Sequence, residues 1–192
     1  MGITTDQFFE NIYSIIFSPK AFFENKEIKI SLRVAIGNVV FVAFISKLAM
    51  GVFDGSILSV RFVPSFIWTV LSIVVVWFLT ALFFEYTAKI YSKNAGMEKI
   101  LFYTSYAPVP YILFAPLNLF KHAGEPGYVF ASLTELILYF WIITLYAYSL
   151  KAVYSISLSR AFMVIFLPFV SVFFVIYWLV CFSSKLGYIF SI

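Results

Sequence analysis

Charge is what this chain of 192 residues lacks most: Asp, Glu, Lys and Arg make up 11% of it, less than half the roughly 25% that keeps the surface of a soluble domain wetted. An ordinary water-soluble fold is excluded. There is a single cysteine, Cys181, so neither an intramolecular disulfide nor a cysteine cluster for a metal is available. The only histidine, His122, lies in a short polar stretch, where a lone imidazole reads as an interfacial side chain rather than a ligand or a base. Ser105 and Ser183 have no histidine beside them, which leaves no nucleophile motif. An enzyme, a metal centre and a cofactor are therefore not expected. The net charge of +4 is small and dispersed, without the clustered basic face that nucleic acid requires.

What replaces charge is apolar mass. The chain is 63% hydrophobic and 22% aromatic, with a mean hydropathy of +1.00. At about 20 residues per spanning helix there is room for five or six spans and no sizeable soluble domain. Five apolar windows are visible, at about 32–53, 62–86, 100–120, 128–150 and 161–183, each long enough at about 1.5 Å per residue to cross roughly 30 Å of hydrocarbon. The reading is an all-α membrane protein: a five-helix transmembrane bundle over 32–192, preceded by an amphipathic interfacial segment over 1–31.

In that N-terminal segment, residues 1–11 lack the basic start of a cleavable signal, and no long apolar run begins before about Leu32. Thr5 to Phe17 instead carries Phe8, Phe9, Ile12, Ile15 and Ile16 at helical spacing, with Asp6, Glu10 and Asn11 mostly on the other side. This pattern predicts a helix lying on the membrane surface as an anchor. Ser18 followed by Pro19 predicts an N-cap with proline at the first helical position, restarting a short helix that carries Phe22 and Phe23.

Orientation follows from the basic residues. Lys20, Lys26, Lys29, Arg33, Lys89, Lys93, Lys99, Lys151 and Arg160 fall on one side of the five-span arrangement, against Arg61, Lys121 and Lys185 on the other. The positive-inside bias places the N-terminus in the cytoplasm and the C-terminus outside. Tyr86, Tyr91, Tyr103, Tyr128 and Tyr188, near predicted boundaries, fit interfacial aromatic belts.

The third window is irregular. Pro108, Pro110 and Pro116 each remove a backbone donor, and two prolines one residue apart cannot sit in an unbroken helix. The helix is expected to bend or break there, its freed carbonyls covered by neighbouring helices, water or the hydroxyls of Tyr103, Thr104, Ser105, Tyr106 and Tyr111. A kinked packing helix is the plainer outcome, and a functional site the sharper one.

A short amphipathic start with a Ser-Pro and paired phenylalanines (Ser18, Pro19, Phe22, Phe23), followed by five spans of which the third carries Tyr103, Ser105, Tyr106, Pro108 and Pro110, resembles the Yip1-domain family of integral membrane proteins. Eukaryotic members act in vesicle trafficking and bind Rab GTPases through a long cytoplasmic N-terminal region. The short N-terminus here is similar to that of prokaryotic members, some of which accompany transporters. The resemblance implies no catalytic residues. It implies a scaffold or accessory protein of a prokaryotic cell membrane, with membrane lipid and other membrane proteins as partners and self-association among the options.

Two ionisable residues lie well inside predicted windows, Lys47 in the first and Glu135 in the fourth. Each is costly in hydrocarbon unless paired or hydrated. On the five-span arrangement both lie roughly 9 to 11 Å below the far boundary, so a buried Lys47–Glu135 pair is expected. Glu85, nearer a helix end, is expected to reach the cytoplasmic interface. A small permease or channel would use this pair with Asn38 and the broken span as a polar pathway. A structural bundle would use it as one clamp.

Overall fold

The computed structural model describes residues 5–25, 28, 30–53, 55–91, 96–167, 170, 174, 177 and 178. Among these, every regular element is helical. Helix α1 (Thr5–Phe17) and the short α2 (Pro19–Glu24) precede three long helices, α3 (Leu32–Phe53), α4 (Phe62–Ala88) and α7 (Glu125–Tyr154). Between α4 and α7, a fourth apolar segment is split into α5 (Met97–Thr104) and α6 (Phe114–Lys121). These four segments are long and apolar enough to cross a membrane. The fifth window is helical over Leu158–Leu167 (α8). The rest of that window, with Cys181 and Ser183, lies outside the described residues, as do Lys26, Lys29, Lys93, Lys185 and Tyr188.

Helix lengths depart from the windows at polar ends. α7 starts at Glu125 and ends at Tyr154, beyond the predicted 128–150 at both ends, because hydropathy marks the lipid-covered part of a helix while hydrogen bonding carries it into the headgroups. Pro126 sits in its first turn, where the missing N–H costs nothing. α4 exposes Ile67, Trp68, Leu71, Val75 and Val76 in succession. A helix with so much uncovered apolar surface needs lipid around it.

α3 packs on α4, α5 and α6, while α7 packs on α2, α5 and α6, so the split segment occupies the middle of the bundle. The main core joins Val39 and Val42 of α3, Trp77 and Ala81 of α4, Phe102 and Tyr106 of the split segment and Leu145 of α7. A second cluster seats Ala161, Val164 and Ile165 of α8 against Phe84, Ile100 and Leu150. Small residues set the close approaches. A Cβ on Gly51 would lie 2.4 Å from the Phe62 ring, where α3 turns into α4. One on Gly127 would lie 2.2 Å from the Phe120 carbonyl oxygen, where α6 turns into α7. Gly124, at φ +86°, makes that second corner in a region most side chains avoid.

The N-terminal helices differ from a free surface anchor. Ile15, Phe22 and Phe23 are buried and belong to the main core. Tyr13 and Phe17 remain exposed on α1, their rings 4.6 Å apart. α1 therefore has two apolar edges, one sealed by protein and one open.

Candidate functional site at the broken third span

The third span breaks where its prolines require. α5 ends at Thr104, a 3₁₀ turn covers Val109–Leu113, and α6 resumes at Phe114. Residues 101–110 are buried without interruption. Pro116 falls in the first turn of α6, where proline is tolerated.

Tightening from α to 3₁₀ spacing resolves most of the freed carbonyls. The N–H groups of Tyr106, Ala107 and Val109 donate to the carbonyls of Tyr103, Thr104 and Tyr106, each three residues back. Ser105 is the exception, because the residue three places on is Pro108, which has no N–H. Its carbonyl accepts instead from Asn38 Nδ2 of α3 at 2.7 Å. Asn38 is fully buried, so this bond is shielded from solvent.

Two further cross-helix bonds tie the break to its neighbours. Ser149 Oγ of α7 donates to the Tyr103 carbonyl at 3.1 Å and is also 2.9 Å from the Leu145 carbonyl. Trp77 Nε1 of α4 donates to Thr104 Oγ1 at 3.2 Å, and that hydroxyl donates to the Ile100 carbonyl at 2.6 Å. Ser105 Oγ donates within its own turn, to the Phe102 carbonyl at 2.7 Å. The hydroxyls expected to cover the break thus act only in part. Tyr111 is exposed and packs on Phe114, and the decisive donors, Asn38, Trp77 and Ser149, come from three other helices. Their sequence signal was a polar group within an apolar window, a signal too common to assign a partner.

The two motifs behind the family resemblance meet at this place. Ser18 occupies the N-cap position of α2 and Pro19 its first turn, although the hydroxyl makes no capping bond. The Phe22 ring packs on Tyr106 at 4.9 Å between centroids, and Phe23 on Tyr103 at 5.9 Å. Phe23 also stacks on Tyr148 of α7 at 6.1 Å. Asn11 of α1, placed on the polar side by the sequence pattern, donates from Nδ2 to the Tyr106 hydroxyl at 3.3 Å. Tyr103, expected in an interfacial belt, is instead buried at this junction, whereas Tyr86, Tyr91 and Tyr128 are exposed.

The expected Lys47–Glu135 pair is not formed. Glu135 Oε1 lies 2.6 Å from Lys121 Nζ, at the end of α6. Shared depth fixes a level in the membrane but not a direction around the helix axis. α3, which carries Lys47, contacts α6, and the α6–α7 hairpin turns Glu135 to α6. Lys47 is half-buried on α3 and has no ion pair among the described residues. Among the described residues the buried carboxylate is Glu85 rather than Glu135. It accepts from the Tyr154 hydroxyl at 2.5 Å and pairs with Lys89 at 3.2 Å, joining α4 to the end of α7.

The arrangement binds elements to one another. Phe102, Tyr106 and Val109 fill the break with ring and alkyl volume, and among the described residues no cluster of His, Cys, Asp and Glu could hold a metal ion. Comparison with known proteins finds no match among curated proteins and none among solved structures. The family model of the Yip1 domain matches residues 13–179, from within α1 to beyond α8, taking in both motifs and the junction they build, and the chain belongs to the Yip1-domain family.

Proposed function

We propose that this protein is a non-enzymatic membrane scaffold or accessory subunit, whose working surface is the N-terminal pair of helices docked on the broken third span. The observation that carries this reading is the seating of Phe22 and Phe23 on Tyr106 and Tyr103. It spends the irregular span on holding a short helix in one place, with Lys20 and Ala21 left exposed on it. A fixed, exposed helix beside the membrane suits recognition of another membrane protein or of lipid. The excess of basic residues on this side makes it cytoplasmic, with the C-terminus outside; a prokaryotic cell membrane as the setting rests on the resemblance to prokaryotic family members alone. A small permease is the weaker alternative, because the span it would open is packed with buried aromatic rings and the Lys47–Glu135 pair it would use is not made.

The test is crosslinking in cells that express the full chain. A photoreactive side chain at Ala21 should give a discrete adduct with another membrane protein, and Phe22→Ala, which undocks α2, should abolish it. The same group at Val76, on the exposed side of α4, should give lipid adducts alone. Lipid adducts alone at both positions would count against the scaffold reading.

A further inference from the structure

A cleft of about 370 Å³ opens beside the docked helix, between the end of α2, α5 and the end of α7. Its lining includes Glu24 and Lys151, whose charged groups are 3.1 Å apart, and the aromatic rings of Phe23, Tyr103 and Tyr148. Tyr103 lies six residues into α5 and Tyr148 six residues before the end of α7, so at about 1.5 Å per residue the floor is roughly 9 Å below the rim. Ser155 ends α7 at the lip, in the left-handed region at φ 53°, where the partial negative charge of the helix C-terminus also acts. Phe23, Tyr103 and Tyr148, the rings that help to seat α2, form its wall, and the open space lies beside them, toward Glu24 and Lys151.

We propose that the cleft binds the phosphate ester of a small primary amine, the chemistry of a phosphatidylethanolamine headgroup. The sum of the Glu24 and Lys151 charges is zero, which favours neither an anion nor a cation alone. A phosphate entering by itself would have to take Lys151 from Glu24, and an ammonium by itself would have to do the reverse. A zwitterion replaces one ion pair with two, its phosphate accepting from Lys151 and its ammonium donating to Glu24. The existing pair yields easily, because the side chains are 37% and 52% exposed and such pairs are held weakly. The volume is at the low end of small-molecule sites, roughly 300–1,000 Å³, which suits a headgroup and its glycerol rather than a whole lipid.

This deepens the lipid side of the accessory reading and rests on it only for the position of the cleft at a membrane surface. The test uses the full chain in dodecyl maltoside, titrated with dioleoylphosphatidylethanolamine or dioleoylphosphatidylglycerol, with bound lipid read by native mass spectrometry. Wild type should bind the ethanolamine lipid at least tenfold more tightly. Glu24→Gln should reduce that preference below threefold, Lys151→Met should weaken both lipids at least tenfold, and Lys151→Arg should retain binding, with lipid-free melting temperature as the folding control. Displacement by free phosphoethanolamine would mark the headgroup alone as the ligand, and lipid binding without displacement would mark the intact lipid; either meets the proposal. Equal affinity for the two lipids, or a preference that survives Glu24→Gln, would overturn it. Loss of the Ala21 protein adduct with this preference intact would sink the scaffold reading alone.

Discussion

Replacing Asn38 by Leu tests whether its amide stands in for the backbone donor that the Ser105 carbonyl lacks. The Asn38 amide serves the Ser105 carbonyl at 2.7 Å in a fully buried setting, and Pro108 denies that carbonyl the backbone donor its neighbours receive. A buried carbonyl left without a donor costs about 1 to 3 kcal/mol, while interhelical hydrogen bonds in membrane bundles average about 0.6 and reach about 1.7 kcal/mol. One effect works the other way. Asn38 Oδ1 is itself buried without a partner, and Leu removes that group too. The net loss should be about 1 kcal/mol, a fall of about 2 to 4 °C in melting temperature for a chain of this size. The distinguishing measurement is the same substitution made with Pro108→Ala, which supplies an N–H three residues after Ser105. There the cost of Asn38→Leu should fall below about 0.5 kcal/mol, the usual scatter of additive changes. Equal losses in both backgrounds, measured by unfolding in detergent, would show that the Ser105 carbonyl is not what Asn38 serves.

Three further outcomes are expected. In a double-mutant cycle, Lys121→Met with Glu135→Gln should show a coupling of about 1 to 2 kcal/mol, between the values for exposed and buried pairs, since the side chains are 29% and 20% exposed. Lys47→Met with Glu135→Gln should be additive, and coupling there instead would restore the pairing first expected from depth. Gly127→Ala should destabilise by about 1 to 3 kcal/mol through overpacking, because its Cβ meets backbone at Phe120 and not a movable side chain; unchanged melting would contradict so tight a corner. Single cysteines at Ala123 and Ser157, both exposed, in a background lacking Cys181, should react with an impermeant maleimide from opposite faces of the membrane, and reaction from one face would remove the proposed orientation.

Most of the architecture could be read from composition, because a lipid-embedded helix must advertise itself as an unbroken apolar run. Four of the five windows correspond to long apolar helices or to the split segment, and the break was legible because proline's missing N–H is a local property. The ends were less legible: α7 exceeds its window at both ends. Pairings were legible least. Glu135 meets Lys121 because of how the α6–α7 hairpin turns, and that turn depends on Gly124 and Gly127, which a hydropathy pattern reports only as loop residues. Lys121 itself lies one residue past the third apolar window, so its position in the sequence gives it no mark as a partner for a residue inside the fourth.

The same limit hid the relation between the two motifs. Phe22 and Tyr106 are 84 positions apart in the numbering, and nothing in the amphipathic pattern of the N-terminal segment distinguishes a face meant for lipid from one meant for protein, since both are apolar. The broken span supplies the difference. Phe102 and Tyr103, at the end of α5, and Tyr106, where the helix gives way, form one buried aromatic patch, and rings are better matched by other rings than by mobile acyl chains. Pro19 opens the short helix whose Phe22 and Phe23 meet that patch, and Asn11 meets the polar tip that Tyr106 presents. Read this way, the prolines of the third span and the phenylalanines of the N-terminus are two halves of one joint, and weakening either half should loosen the other.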